Sequence, residues 1–401
     1  MRVIQTLDFF SSEFKAEAYP VYAELRAKDP VYRITMPDGQ TGWVITRYQD
    51  AVSALKDNRL VKNPRGLISS EDMVLSTMER DFITRHMLSS DPPDHTRLRS
   101  LVHKAFTPRM IEGLRQRIEQ IVHGLLDEAE QRKRMDLIDD FAFPLPIIVI
   151  CEMLGIPVQD RDRFREWSNA VIRATNHPER MQEAVPSIRA FIDYLRDLFD
   201  KRRGRPGDDL ISALLHVESE GEQLTENELY STVFLLIVAG HETTVNLIGN
   251  GVLALLEHPD QMDKLKNDPG LIRSTIEEML RFYSPVEVAT NRWAAEEVEL
   301  HGKRIPKGDM VLVVLASANR DENRFDEPDR FDITRGANRH IAFGMGIHYC
   351  LGAPLARLEG EIAVNTLLQR MPDLRFGVDP KTLKWRPSYL MRGLIHLPVT
   401  W

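Results

Sequence analysis

The 401-residue chain has two cysteines, too few for a disulfide framework, so a cysteine with a chemical task would be a thiolate ligand or a nucleophile. Cys151 lies in Ile150-Cys151-Glu152-Met153 and reads as a small core residue. Cys350 has another setting, Phe343-Gly344-Met345-Gly346-Ile347-His348-Tyr349-Cys350-Leu351-Gly352-Ala353-Pro354. Gly344 and Gly346 let this loop turn tightly and lie close to a flat ligand, with backbone amides free to point at the sulfur. A helix starting just after Cys350 would aim its positive end at the sulfur and favour the thiolate. Such a thiolate can ligate a metal or attack carbon, and residue chemistry alone leaves both open. A dinucleotide loop is excluded, because its third glycine would fall on Tyr349 and no long strand precedes Gly344.

The second polar grouping, Gly240-His241-Glu242-Thr243-Thr244, follows the apolar run Val233-Phe234-Leu235-Leu236-Ile237-Val238-Ala239. His241-Glu242 opens the zinc-helix pattern, which requires a second histidine four residues on. Position 245 is Val245, so that pattern fails at its required residue. Polar groups inside a buried helix are costly without partners, and a cluster of them there points to chemistry.

The elements that must position these groups are readable. Thr225-Glu226-Asn227-Glu228 is a capping box, and the helical pattern then runs to His258, where Pro259 marks a stop. That is a helix of about 32 residues and roughly 48 Å, its apolar middle expected to be buried all round. Val31–Thr35, Pro37-Asp38-Gly39 and Trp43–Thr46 read as strand, turn, strand. From about Asp94 to Leu280 apolar residues recur at helical spacing, as in Ile111, Leu114, Ile118, Ile121 and Leu125. After Pro285 come short strand candidates at 298–300, 303–305 and 310–315, a turn at Pro306-Lys307-Gly308, and a last helix from Pro354 to Gln369. No repeat or linker divides the chain. We expect one mainly α domain over 1–401 with a smaller β-rich lobe: a β-rich part about 1–60, a helical body about 94–285, and a mixed β and Cys350 region about 286–401.

Lys plus Arg total 52 against 60 Asp plus Glu, a net charge of −8, which excludes a general nucleic-acid or anionic-membrane binder. Hydrophobic residues at 43% and charged residues at 28% describe a globular chain with ample core. Met1–Phe10 lacks a signal-peptide pattern, and no run reaches the roughly 18 apolar residues of a membrane span. A cytoplasmic protein without a membrane anchor is expected.

Taken in order, these features resemble the cytochromes P-450 over essentially the whole chain. Phe343, Gly344, Gly346, Cys350 and Gly352 meet every fixed position of that family's haem-binding pattern, Phe-Gly-x-Gly-x-x-x-Cys-x-Gly. Glu278-Met279-Leu280-Arg281 matches its Glu-x-x-Arg, a spacing that alone usually means a surface pair. In the family the pair is buried with a downstream arginine, for which Arg330 in Glu327-Pro328-Asp329-Arg330-Phe331 is the match. Ala239-Gly240-His241-Glu242-Thr243 matches the oxygen-binding stretch of the long I helix.

The resemblance implies a P-450 fold with haem b between the long helix and the Cys350 loop, Cys350 being the iron's axial ligand. Phe343, Gly344, Gly352 and Ala239 would border the haem, and His95, Arg99, Arg292 and His348 would hold its propionates by charge-assisted hydrogen bonds. Gly240 would leave room where the helix widens for oxygen, while Thr243 and Glu242 would deliver protons. Glu242 stands where many members have Asp. Thiolate ligation favours O–O cleavage, a property for which this family is the standard example. The implied activity is monooxygenation: one atom of O2 enters an apolar substrate by hydroxylation or epoxidation, and the other leaves as water.

Bacterial members without an anchor take electrons from a ferredoxin or flavodoxin with its reductase, and those most similar act on polyketides, macrolides or fatty acyl chains. Substrate identity would lie in Val61–Leu88, about Trp167–Leu195, Val286–Thr290 and Tyr389–Met391. Leu88, Val286, Glu287, Val288, Ala289, Thr290 and Leu390 are the candidate pocket residues, with Glu287 and Thr290 either bonding a polar substrate group or facing solvent. A peroxide-driven peroxygenase and a non-catalytic haem sensor are the other classes; Glu242 and Thr243 argue against the first, and the second needs no proton relay. Arg97, Arg99, Lys104 and Arg109, with Arg335, Arg339 and Arg357, lie in two segments free of acidic residues and are expected to include a basic docking patch for an acidic redox protein.

Overall fold

The computed structural model describes residues 11–36, 39–64, 77–160, 163–164, 166–167, 170, 181–218 and 221–401. The expected capping box closes: the Thr225 N–H donates to Glu228 Oε2 at 2.9 Å, and the Glu228 N–H to Thr225 Oγ1 at 3.4 Å. The helix then runs Glu226–Glu257, 32 residues, and Pro259 opens the next one, Pro259–Asn267. By length and composition alone it could cross a membrane, yet 72% of its most apolar window is buried, as in a core helix. Nor is it buried all round, since Leu236 and Val238 are half-buried and Ala239 is exposed.

The chain forms two compact units, one of Met1–Leu67, Glu119–Phe143 and Thr243–Trp401, the other of Ile68–Ile118 and Pro144–Glu242. The described strands all belong to the first: β1 Val31–Thr35, β2 Thr41–Ile45, β3 Leu60–Val61, β4 Arg134–Asp136, β5 Arg292–Ala294, β6 Val298–Leu300, β7 Lys303–Ile305, β8 Met310–Val313, β9 Arg375–Phe376 and β10 Pro398–Thr400. One sheet has the order β1-β2-β8-β5-β3, with β1 antiparallel to β2 (Val31 opposite Ile45) and β2 parallel to β8 (Trp43 beside Val311). Its β-branched and aromatic residues suit a pleated surface, and Val31, Trp43, Ile45, Val311 and Val313 share one core.

The β6–β7 hairpin turns on His301 and Gly302, both left-handed (φ 51° and 69°), as a two-residue turn matched to strand twist requires. The strand expected to reach Leu315 stops at Val313, and Leu315–Ala318 is helical. β4 pairs with β10, placing a short strand inside the stretch expected to be helical. Pro37-Asp38 of the first expected turn, and Met1–Phe10, lie outside the described residues.

The second unit is helical, with Thr77–Thr84, Asp94–Ala105, Pro144–Met153, Met181–Gly204 and Leu210–His216 among its elements. Phe82, Phe164, Trp167, Phe191 and Phe234 form an aromatic core, with centroid distances of 4.9 Å for Phe82–Phe234 and 5.5 Å for Trp167–Phe191. Trp167, expected to border a substrate region, is therefore a core residue; positions 171–180 of that region, and 65–76 of the Val61–Leu88 region, lie outside the described residues. Cys151 is buried as expected.

Glu278 and Arg281 pair face to face in the helix Ile272–Phe282, with Nε–Oε2 and Nη2–Oε1 both 2.8 Å and neither side chain exposed. The third member is Arg335, not Arg330: Arg335 Nε lies 3.2 Å from Glu278 Oε2 and its side chain is 13% exposed. Arg330 is 53% exposed and pairs with Glu327; only its carbonyl joins the cluster, accepting from Arg281 and Arg335. The segment Asp326–Arg335 wraps the pair, so the residue whose side chain turns inward comes five positions later than motif spacing suggests. Arg335→Ala should lower unfolding free energy by about 3 kcal/mol, because it strips a cation from a buried carboxylate. Arg330→Ala, which breaks an exposed pair, should cost less than about 0.5 kcal/mol. Urea denaturation of both variants checks this; equal losses would return the role to Arg330.

Candidate functional site

The Phe343–Cys350 loop is closed by its own backbone: the Cys350 N–H donates to the Phe343 carbonyl at 2.9 Å, Gly344 to Ile341 at 2.8 Å and Tyr349 to Gly346 at 3.1 Å. Gly344 and Gly346 both have φ of 71°, a conformation side chains disfavour. At Gly346 a Cβ would also stand 3.0 Å from the Leu55 carbonyl oxygen. The helix Ala353–Arg370 begins with Gly352 as its cap and Pro354 in its first turn, so its positive end lies near the half-buried Cys350 thiol. A Cβ at Gly352 would approach Cys350 Sγ to 3.9 Å, and glycine leaves that side of the sulfur uncovered.

Both ends of this loop are tied to Glu277. Arg357 forks onto it with distances of 2.6 and 2.9 Å, its guanidinium carbon 4.5 Å from the Phe343 ring centroid. The Ala342 N–H donates to His340 Nδ1 at 3.2 Å, leaving Nε2–H for Glu277 at 3.1 Å. Although burial opposes ionisation, Arg357 and His340 hold the Glu277 carboxyl down at about 2. Neither Glu277 nor His340 was singled out by the sequence, since their meeting depends on how the chain returns to this helix.

On the long helix, Glu242 and His241 are buried and Thr243 is half-buried. The helix continues through Gly240–Thr244, and a Cβ at Gly240 would meet only Ile150 Cδ1 at 3.6 Å. Thr244 hydrogen-bonds Glu359, a residue of the helix following the cysteine. Burial pushes the Glu359 carboxyl up to about 8, against the lowering effect of that bond. Sequence reasoning missed Glu359; its signal was register, an acid in the buried stripe of Leu355, Leu358 and Ile362.

Arg292, buried at the start of β5, and His348, half-buried in the turn before Cys350, belong to the first unit with the cysteine. His95 and Arg99 lie one turn apart on Asp94–Ala105 in the second unit. Burial, with the charge of Arg99, pulls the His95 imidazole below its ordinary pKa. Within the first unit, the Cys350 thiol, the Arg292 guanidinium and the His348 imidazole are of the types an iron porphyrin needs: soft sulfur for iron, and a cation and an N–H donor for carboxylates.

The candidate pocket residues divide. Val286, Thr290 and Leu390 are half-buried, as is Leu88 in the turn Met87–Ser89 of the second unit. Val288 and Ala289 are buried among apolar side chains, and Glu287, buried and paired with Lys15, neither faces solvent nor is free for a polar substrate group. The Thr290 hydroxyl is taken by the buried Lys62 ammonium, which also reaches the Asn291 carbonyl at 2.9 Å. The basic patch is corrected too. Arg97 pairs with Glu228 and Glu222, Lys104 reaches the Glu218 carbonyl, and Arg335 and Arg357 are held by Glu278 and Glu277. Carboxylates remote in sequence thus take up Arg97, Arg335 and Arg357, whereas Lys104, Arg109 and Arg339 stay exposed.

A family model described as "Cytochrome P450" matches residues 7–269 and 270–392. The chain is 47% identical over 393 residues to the "Polyketide biosynthesis cytochrome P450 PksS" of Bacillus subtilis, covering 97% of this chain and 96% of that protein. The solved PksS structure superposes with a TM-score of 0.93 at 46% identity, over 98% of this chain and 99% of that one. "Cytochrome P450 monooxygenase PikC" of Streptomyces venezuelae is 46% identical over 397 residues, 98% of this chain and 94% of PikC. A myxobacterial cytochrome P450, CYP267B1, solved in complex with myristic acid, is 46% identical with a TM-score of 0.90, covering 98% of each chain.

Glu359 gives this site a measurable pH signature. In the folded chain it holds its proton up to about 8, whereas an unfolded glutamate loses it near the ordinary value of 4.5. Between those values the folded state binds the extra proton, so stability falls as pH rises, by about 1.4 kcal/mol per unit. Glu359→Gln cannot ionise and should gain stability over wild type progressively from about pH 5 to about pH 7.5. Chemical denaturation across that range checks it, and a pH-independent difference would refute the buried neutral acid.

Proposed function

The chain belongs to the cytochrome P450 family and is a haem-thiolate monooxygenase, and from that premise we propose that it oxygenates an elongated, largely apolar metabolite with Cys350 as the iron ligand. The substrate class is a polyketide, a macrolide or a fatty acyl chain, supported by PksS being named for polyketide biosynthesis and by the myristic acid bound to the myxobacterial relative. Haem b, the family's cofactor, supplies oxygen activation when bound, and a thiolate ligand favours O–O cleavage.

The observation that carries the assignment of Cys350 is its loop: closed by backbone hydrogen bonds, turned by two left-handed glycines, and placed at a helix N-terminus. Cys350 holds the iron. Arg292, His348, His95 and Arg99 receive the propionates, and Phe343, stacked under Arg357, borders the thiolate. The Thr243 hydroxyl and Glu242 carboxylate carry protons to the oxygen side of the site. A peroxide-driven reaction has no need of that pair, and the peroxygenase reading is not favoured.

An enzyme of this kind requires O2, a substrate and a redox partner. We assign the electrons to a ferredoxin or flavodoxin and the enzyme to the cytoplasm, where those carriers are reduced.

Cys350→His should still take up some haem, but its reduced carbon monoxide complex should lose the red-shifted Soret band of thiolate ligation. Survival of that band would remove Cys350 as ligand; Cys151→Ala should leave it unchanged. Thr243→Ala should keep consuming oxygen and reductant while hydrogen peroxide rises and product falls, and an unchanged product yield per electron would take Thr243 out of the proton route.

A further inference from the structure

Glu287, in the extended stretch after the Glu278 helix, is fully buried, and its partners come from opposite ends of the chain. Lys15 Nζ lies 2.6 Å from Oε2, the Tyr22 hydroxyl donates to Oε1 at 2.6 Å, and Arg392 Nη1 is 3.5 Å from Oε2. Lys15 and Arg392 are themselves buried, and Arg392 Nη1 also donates to the Lys15 carbonyl at 3.0 Å. Despite its burial, Glu287 stays below the usual carboxylate range because Lys15 and Arg392 flank it. A buried ion cluster contributes little net stability, since desolvation offsets attraction. What it supplies is direction, because each charge-assisted hydrogen bond constrains distance and angle.

The backbone thus constrained bears on substrate. The N–H groups of Glu287 and Val288 both donate to the Leu390 carbonyl, at 2.9 and 3.3 Å, and the Arg392 N–H to Pro285 at 2.9 Å. On the other side the Ala289 N–H donates to Val313 at 2.8 Å, and the Ala316 N–H to the Glu287 carbonyl at 3.1 Å. The C-terminal segment is also seated on the long helix: Asn250 Nδ2 donates to the Arg392 carbonyl at 2.8 Å, and a Cβ on Gly393 would collide with Asn246 Oδ1 at 2.0 Å. Val286, Thr290 and Leu390, the half-buried candidate substrate contacts of this unit, ride on the two segments so held.

We propose that Glu287, with Lys15, Tyr22 and Arg392, is a positioning group for substrate specificity that never touches substrate: it fixes segments 286–290 and 388–393 against each other and so sets the shape offered to a long apolar molecule. This rests on the monooxygenase reading above. Through Lys15 and Tyr22, the first helix, Ser12–Lys28, acts on specificity without reaching the site.

Glu287→Gln preserves size and removes the charge. In the haem-loaded protein, optical titration gives dissociation constants for imidazole, which is small, and for 4-phenylimidazole, whose phenyl ring extends into the substrate space. The thiolate carbon monoxide band should persist, imidazole affinity should stay within about threefold, and the ratio of the two constants should change by about tenfold or more. A loss of global stability alone would leave that ratio where it is. If the band persists and the ratio stays within about twofold of wild type, the cluster is only structural and the proposal fails. Should Glu287→Gln not take up haem, Arg392→Lys, which keeps the charge and loses the Nη1 contacts to Glu287 and the Lys15 carbonyl, is measured identically, and an unchanged ratio there is equally fatal. A wild-type protein without the thiolate band would sink the monooxygenase reading, and this proposal with it.

Discussion

A carboxylate with no access to water must be surrounded by cations and N–H donors, and Glu278 imposes that requirement on the part of the chain that carries the cysteine. Its oxygens take Arg281, Arg335, the Asn338 amide and the Asp332 N–H. Arg281 in turn spends its remaining donors on the carbonyls of Asn319, Pro328 and Arg330. Asn319 receives the Ile341 N–H at 2.8 Å, two residues before Phe343. The neighbouring Glu277 holds His340 and Arg357, which bracket the loop. Two adjacent glutamates on one helix thereby fix where the cysteine loop starts and where the helix after it begins. Removing either cation leaves the other groups buried and short of partners, a far larger penalty than losing a surface pair.

Local signals carried well from sequence to structure. The Thr225–Glu228 cap, the β6–β7 hairpin, the first strand and the Gly344–Cys350 turn depend on neighbouring residues, and the chemistry of those residues is sufficient to produce them. The loop around Cys350 was readable for the same reason, its glycines and the following Pro354 being steric requirements written a few positions apart. What could not be read was which side chain turns inward after a long excursion. Arg330 and Arg335 are equivalent by composition, and only the wrap of Asp326–Arg335 around the Glu278 pair separates them.

Charge was the least readable property. Segments without an acidic residue looked positive, yet Glu228, Glu277 and Glu278 arrive from other helices and neutralise Arg97, Arg357 and Arg335. Glu287 was misjudged in the opposite sense: a lone carboxylate between Val286 and Val288 looks available to a ligand, and it is consumed by a lysine and an arginine from the two ends of the chain. Glu359 escaped notice because a buried neutral acid differs from a surface glutamate only in its surroundings. In each case the deciding quantity is the partner's position.

The Lys15–Glu287–Arg392 cluster also sets an order of events during synthesis. Lys15 waits for a partner 272 residues further on, and its own carbonyl receives Arg392 across 377 residues. Contacts of such separation close a very long loop and form late, after local helices and hairpins are in place. On a ribosome that delivers the chain N-terminus first, the first helix carries an ammonium destined for the interior while nearly the whole polypeptide is still being made. The guanidinium that completes its shell, that of Arg392, emerges 377 residues after it. Loss of Arg392 would therefore leave Lys15 and Glu287 buried with an incomplete shell, a defect felt in the first helix although the change lies 377 residues away.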